Sequence, residues 1–281
     1  MAEPLKHALS FDIEDWFHMV EIPAVADRDK WDEHSSLVER YTEWIVETVR
    51  RANVRATFYM LGWVAERHPR LAPMIAAAGH EVGCHSYWHR RVDQLTPGEF
   101  REDTARAKDI LEQQTGQRVL GYRAPSFSVT PGAEWAFDVL HDLGFAYDAS
   151  LFPAPRGHGG YPCVQEVHDF QLAPSGRPMR ELPMSIMRYG PLKIPFSGGG
   201  YMRVLPEWMI RRGFEKFTAS GVPVVVYLHP RDFAVDCPRV PMPLHRRFKC
   251  YTGMETTARK LEMLLAGYQF TTCAEVAGIV Q

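Results

Sequence analysis

Apolar runs of strand length alternate with amphipathic helical stripes along this chain, and titratable residues recur just where the runs end. The alternation predicts an α/β fold on a mainly parallel sheet or barrel. The second pattern places a site at the C-terminal ends of the strands. At 281 residues the chain can bury the core of one large domain of this kind.

The strand-like runs cover about residues 7–12, 56–61, 80–84, 119–123, 145–148, 181–185 and 222–228, with a final one at Tyr268 to Thr271. Between them, Leu37, Tyr41, Trp44, Ile45 and Thr48 recur at helical spacing after Ser35 or Ser36 as cap. Phe100, Thr104, Ala107 and Leu111 do so after Thr96-Pro97. Further stripes run from Glu134 to Leu143 and from Pro206 to Thr218, and from Thr252 onward through Ala258, Leu261, Leu264 and Leu265.

Residues 153–200 interrupt this rhythm, with sixteen Gly or Pro among forty-eight. They are expected to form a long loop region with one or two strands that shapes a cleft. Asp232 to Lys249 is a second irregular stretch, carrying Arg239, His245, Arg246, Arg247 and Lys249. It reads either as a loop over one end of the fold or as a contact for an acidic glycan. With no flexible linker in the chain, residues 1–250 are expected to form the domain and 251–281 a C-terminal helical extension packed on it.

Composition narrows the function classes. The chain is 46% hydrophobic and 23% charged with a net charge of -2, which gives no electrostatic footprint for nucleic acid or an anionic membrane, and neither is expected as a partner. No run approaches the ~18 apolar residues of a transmembrane segment. Met1 to Lys6 leads into a strand pattern without the marks of a secretory signal, so a cytoplasmic location is expected. Cys84, Cys163, Cys237, Cys250 and Cys273 are odd in number, without a CxxC, and fit neither a disulfide framework nor a zinc-thiolate site.

The most informative segment is His85-Ser86-Tyr87-Trp88-His89, two imidazoles four residues apart after the strand-like Glu81 to Cys84. Alone, such a pair is commonly a coincidence of spacing. Its company is Asp12-Ile13-Glu14-Asp15, three acids at the end of the first apolar run, where uncompensated charge would be costly. Two histidines and a carboxylate make an open divalent-metal site, with zinc the default and cobalt, nickel or iron able to use the same ligands.

Taken in order, Ser10-Phe11-Asp12, His85 to His89, Arg123-Ala124-Pro125, Asp148-Ala149-Ser150 and Leu228-His229 resemble the motifs of the polysaccharide deacetylase family, also called the NodB homology domain or carbohydrate esterase family four. Phe11 to Phe17 and Tyr251 to Thr257 resemble, more loosely, a subfamily found with exopolysaccharide and exosortase genes. The resemblance implies a distorted (β/α) barrel of about seven strands and a metal-dependent hydrolase acting on an N-acetylated carbohydrate. The family's first motif has two adjacent aspartates, a base and a ligand, whereas here Ile13 follows Asp12. Glu14 shares a strand face with Asp12 and is the preferred third ligand, with Asp15 open if the strand ends at Asp12.

On that resemblance, Asp12 takes a proton from water, Arg123 holds Asp12 ionised, His229 protonates the departing amine, and Asp148 orients His229 and raises its pKa. Pro125, Ser126, Phe127 and Trp88 are candidate substrate contacts, with an amide near Ser126 or Phe127 as an oxyanion donor. Trp16, Phe17 and Phe152 fit either sugar stacking or the core, and His18, after the acid cluster, is a possible site-lining residue. Two alternatives are kept: a metal-independent amidohydrolase of allantoinase or cyclic-imidase type, and a non-catalytic glycan-binding protein.

Overall fold

The computed structural model describes residues 4–19, 22–155, 157 and 159–279; the first three residues, part of the expected leader-free start, lie outside them. Its main sheet is formed by β1 (Lys6–Ile13), β2 (Thr57–Met60), β3 (Glu81–Cys84), β4 (Gly121–Tyr122), β5 (Tyr147–Asp148), β6 (His168–Phe170) and β7 (Met179–Glu181). A separate hairpin, β8 (Ile186–Tyr189) with β9 (Leu192–Pro195), precedes β10 (Val225–Leu228) and β11 (Gln269–Thr271) of the main sheet. The helices are α1 (Val38–Arg51), α2 (Gly62–Arg67), α3 (Leu71–Ala77), α4 (Pro97–Thr115), α5 (Trp135–Asp142), α6 (Gly199–Val204), α7 (Glu207–Ala219), α8 (Leu244–Tyr251), α9 (Met254–Gly267) and α10 (Cys273–Val276). None is long and apolar enough to cross a membrane.

The sheet runs β10-β1-β2-β3-β4-β5-β7-β6, parallel throughout except for the last pair, with β11 also joined to the start of β1. It curls into the distorted (β/α) barrel expected from sequence. β6 and β10 do not pair; the gap is bridged where Val225 N–H donates to Ser185 Oγ (2.9 Å) and Tyr227 N–H to the Ser197 carbonyl (3.2 Å). Strands β2, β3 and β10 are buried along their whole length, as strands covered on both faces must be.

Two apolar layers hold the barrel. The outer one packs helices on the sheet through residues such as Phe11, Phe58, Ile45, Phe100, Leu111 and Leu261. The inner one contains Tyr59, Tyr147, Tyr227, Phe127 and Phe152. Each interior tyrosine lies against a glycine of a neighbouring segment: Tyr59 on Gly83, Tyr147 on Gly121 and Tyr227 on Gly198, where a Cβ would collide with the ring. This alternation of large and absent side chains fills a narrowing interior.

Local signals explain the clearest helices. Thr96 and Glu99 form a reciprocal capping box at α4, whose other end stops at Gly116 with φ of 67°. The cap expected from Ser35 or Ser36 at α1 comes instead from far away, because Asp15 accepts from Leu37 and Val38 N–H and from Ser36 Oγ. Residues 153–200 hold four short strands, more than the one or two expected, and α8 begins inside the stretch read as irregular and runs two residues past it. The C-terminal segment packs on the same sheet and supplies β11 to it.

Candidate active site

Five strand ends converge on one polar centre. β1 delivers Asp12, and just beyond its last residue the chain turns, Glu14 N–H donating to the Asp12 carbonyl (3.1 Å). That turn separates neighbouring acids: Glu14 enters the centre and Asp15 points out to cap α1. His85 directly follows β3, Arg123 follows β4 and His229 follows β10, while Asp148 is the last residue of β5.

Glu14, His85 and His89 each bring one ligand atom into a cluster whose members all lie within 4.8 Å of one another. Glu14 Oε2 and His89 Nε2 approach to 2.7 Å, yet the buried Glu14 Oε2 has no aligned hydrogen-bond partner. Lone-pair donors gathered in this way, two imidazole nitrogens and a carboxylate oxygen, fit a divalent cation. Asp15, spent on the helix cap, is not part of the cluster. His85 Nδ1 is 2.7 Å from the Arg123 carbonyl, which fixes the ring and leaves Nε2 as the ligand atom. Burial lowers its pKa to about 4, so the imidazole is neutral and carries a free lone pair at neutral pH.

The loop carrying the histidines is held from behind. Asp103 on α4 accepts the Tyr87 (2.7 Å) and Trp88 (3.1 Å) N–H groups, and Ser86 Oγ accepts that of His89 (3.1 Å). Ser86 and His89 both have positive φ, 69° and 52°, a conformation that L residues adopt at a cost and that this anchoring sustains.

Asp12 lies opposite. Its Oδ1 accepts from Arg123 Nη1 at 2.7 Å, and Oδ2 lies 3.8 Å from His229 Nε2. The fully buried Arg123 also donates to Ser10 Oγ (2.8 Å) and to the Ala149 carbonyl (3.2 Å), and its guanidinium lies 4.2 Å from the centre of the Tyr59 ring. Ion pairing, hydrogen bonding and a cation–π contact compensate the buried charge.

The expected partner of His229 is corrected by the geometry. Asp148 faces Ser150, accepting from its N–H (2.8 Å) and Oγ (2.7 Å), while Ser150 Oγ accepts the Ala124 N–H (2.7 Å). Asp148 therefore fixes the turn that carries Arg123. Its neighbour is Glu181, whose carboxyl is pushed well above the usual range by burial and by the Asp148 charge. The carboxylate on His229 is Asp232, with Oδ2 at 2.8 Å from Nδ1. Burial alone would depress His229, but the Asp232 charge and hydrogen bond, aided by Glu14, raise its pKa above 6.5. Arg203 Nε in turn lies 3.1 Å from Asp232.

Asp232 and Asp103 were not singled out from sequence. The first had a signal: Pro230 starts a turn that places the residue three beyond His229 back under its imidazole. Arg231 was missed as well; its Nε lies 3.8 Å from Glu14 Oε1, and its Nε and Nη1 make no hydrogen bond among the described residues.

Of the candidate substrate contacts, Phe127 is buried, packs on Tyr227 (centroids 4.8 Å apart), and donates its N–H to the Ala124 carbonyl. That leaves the Ser126 amide, at φ 56°, as the oxyanion-donor candidate on this turn. Pro125 is buried in the same turn, and half-buried Trp88 packs on Tyr87 and Trp31. Trp16, Phe17 and Phe152 are core residues. His18 is buried beside His89 (centroids 6.4 Å apart), and its Nδ1 accepts the Asp15 N–H.

Residues 29–147 match a family described as Polysaccharide deacetylase, and residues 149–278 one described as Domain of unknown function (DUF3473). Over residues 29–147 the chain is thus similar to polysaccharide deacetylases. A peptidoglycan-N-acetylglucosamine deacetylase of Bacillus cereus is 34% identical over 94 residues, which is 34% of this chain and 32% of that protein. The match thus spans about a third of that curated relative. Among solved structures, a family 4 carbohydrate esterase from Streptomyces lividans aligns over 96% of this chain and 93% of its own, with 14% identity and a TM-score of 0.52. Puue allantoinase aligns over 97% and 88%, with 17% identity and a TM-score of 0.66. These likenesses establish the barrel; the reaction has to be argued from the site.

Proposed function

We propose that this chain is a metal-dependent hydrolase that removes N-acetyl groups from an amino sugar of an exopolysaccharide or its precursor. The observation that carries the reading is the meeting of Asp12, held by Arg123, with His229, held by Asp232, beside the Glu14–His85–His89 cluster. Asp12 and His229 approach one point from two sides, as proton removal from water and proton delivery to an amine require.

Glu14, His85 and His89 would hold the ion, for which zinc is the default. When bound, a divalent ion lowers the pKa of a coordinated water and polarises the amide carbonyl, each contributing several kcal/mol. Asp12 receives the water proton through Oδ2, because Oδ1 is committed to Arg123. His229 enters protonated, its charge supported by Asp232, and passes the proton from Nε2 to the leaving nitrogen. The Ser126 amide stabilises the tetrahedral oxygen.

The alternatives leave parts of this arrangement without a use. A metal-independent amidohydrolase has no need for the Glu14–His85–His89 cluster, and a binding protein has no need for a separately supported acid and base. Incubation with N-acetylglucosamine oligomers and zinc or cobalt is expected to release acetate and to do so far more slowly in Asp12→Asn. Release that depends on neither metal nor Asp12 would refute the mechanism.

A further inference from the structure

The net charge of -2 conceals a strong local asymmetry. Residues 237–254 contain Arg239, Arg246, Arg247 and Lys249 and no acid. Within this stretch α8 turns two large apolar side chains to solvent, Leu244 at 81% exposure and Phe248 at 55%. Spaced four apart, they form one stripe. Exposed Arg247 and Lys249 flank it, while Tyr251 on the next turn is buried and anchors the helix, its hydroxyl donating to the Pro238 carbonyl at 3.2 Å.

Large apolar side chains are exposed outside α8 as well. Tyr201 and Val204 of α6, Trp208 at the start of α7, and Val235 are also exposed. α6 is fastened to the end of α8 by Arg203, which donates to the Cys250 carbonyl (2.7 Å) and to that of Lys249. The same Arg203 pairs with Asp232 beneath His229, so this face is built onto the rim of the active site.

We propose that α8 and its flanks seat the protein on an anionic lipid surface. Leu244 and Phe248 enter the interfacial zone, and Arg239, Arg247 and Lys249 lie against the headgroup phosphates. Charge decides against a second copy of the chain: a two-fold contact through this face would set its basic residues against themselves. A soluble acidic glycan would match the charge and leave Leu244 and Phe248 in water. The expectation that no anionic membrane is a partner rested on net charge, and this proposal departs from it on the local pattern. On the deacetylase reading above, the surface implies a membrane-linked N-acetylated saccharide as substrate.

Co-sedimentation of the full chain with vesicles tests the seat directly, without any turnover. Vesicles of phosphatidylcholine plus phosphatidylglycerol are expected to retain the protein, less so as salt rises, and phosphatidylcholine alone to retain little. Arg247→Glu and Lys249→Glu should each weaken retention about fivefold or more, and Leu244→Asp with Phe248→Asp should abolish it. Because these side chains are exposed, an unchanged melting temperature verifies that the variants fold. Equal retention by the two vesicle types, none by either, or insensitivity to Leu244→Asp/Phe248→Asp overturns the proposal. So does a solution dimer that the double variant dissociates, which would make a second copy the occupant. Acetate release from a soluble oligomer should be unaffected in all these variants, and its absence in every protein would fail the deacetylase reading while leaving the vesicle result to stand.

Discussion

Asp232→Asn keeps the turn after β10 and removes the negative charge 2.8 Å from His229 Nδ1. An opposite charge at hydrogen-bond distance typically shifts a buried group by about 1–3 pKa units, about 1.4–4 kcal/mol. The shift on His229 is upward, so its protonated form persists to higher pH, and a general acid loses activity as pH rises through the raised value. The variant should therefore carry the alkaline limb of kcat/KM to lower pH, with about a tenfold loss for each pH unit of displacement at a pH above both values. The assay is acetate release from about pH 5 to 9. Because the Asp232–Arg203 pair is buried, some folding stability is lost too, and the position of the limb is the readout because it does not depend on how much protein is active. Stability follows the same sign: the His229 contribution is complete below the unfolded pKa near 6.5 and lost as pH rises through the folded value. An unmoved limb in Asp232→Asn with a shifted limb in Asp148→Asn would refute this assignment.

Asp148→Asn is instead expected to lower kcat with the alkaline limb in place, because it loosens the Ser150–Ala124 link that carries Arg123; a pH profile separates the two outcomes. Glu14→Gln should weaken zinc binding by tenfold or more, whereas Asp15→Asn should keep zinc and lower stability by about 1–2 kcal/mol through the lost α1 cap, as read by metal titration and chemical denaturation. Arg231→Met should tighten zinc binding, since it removes a cation 3.8 Å from a ligand oxygen; unchanged or weaker affinity would show that Arg231 does not oppose the ion. Gly83→Ala drives a methyl into the Tyr59 ring and should cost about 1–3 kcal/mol of stability.

The sequence made the strand ends legible because a parallel strand buried on both faces reads as a plain apolar run, and the polar residue that stops it stands out. Asp12, His85, Arg123 and His229 all carry that mark. Glu14 was preferred over Asp15 on strand parity alone, and Asp15 stayed open because a turn at one residue, which sends neighbours in opposite directions, is not visible in sequence. Asp148 was assigned the wrong partner: distance between strand ends is invisible in sequence, whereas the carboxylate three residues past His229 was within reach of a turn rule. Asp103 sits on the buried face of α4 among Phe100, Thr104 and Ala107, and an acid in an apolar stripe was its available signal. Residues 153–200 hid their strands because these are three or four residues long and punctuated by Gly and Pro, too short to show a period. α8 was obscured because its exposed Leu244 and Phe248 break the rule that apolar stripes face the core.

Metal content and acetate release, measured on the same preparations of the wild type, Asp12→Asn and His85→Ala/His89→Ala, bear most directly on the central claim. The account predicts about one divalent ion per chain in the first two proteins and none in the third, with rapid acetate release from the wild type alone. Acetate release that survives Asp12→Asn, loss of the ion in that variant, or turnover by a chain that holds no ion would contradict it.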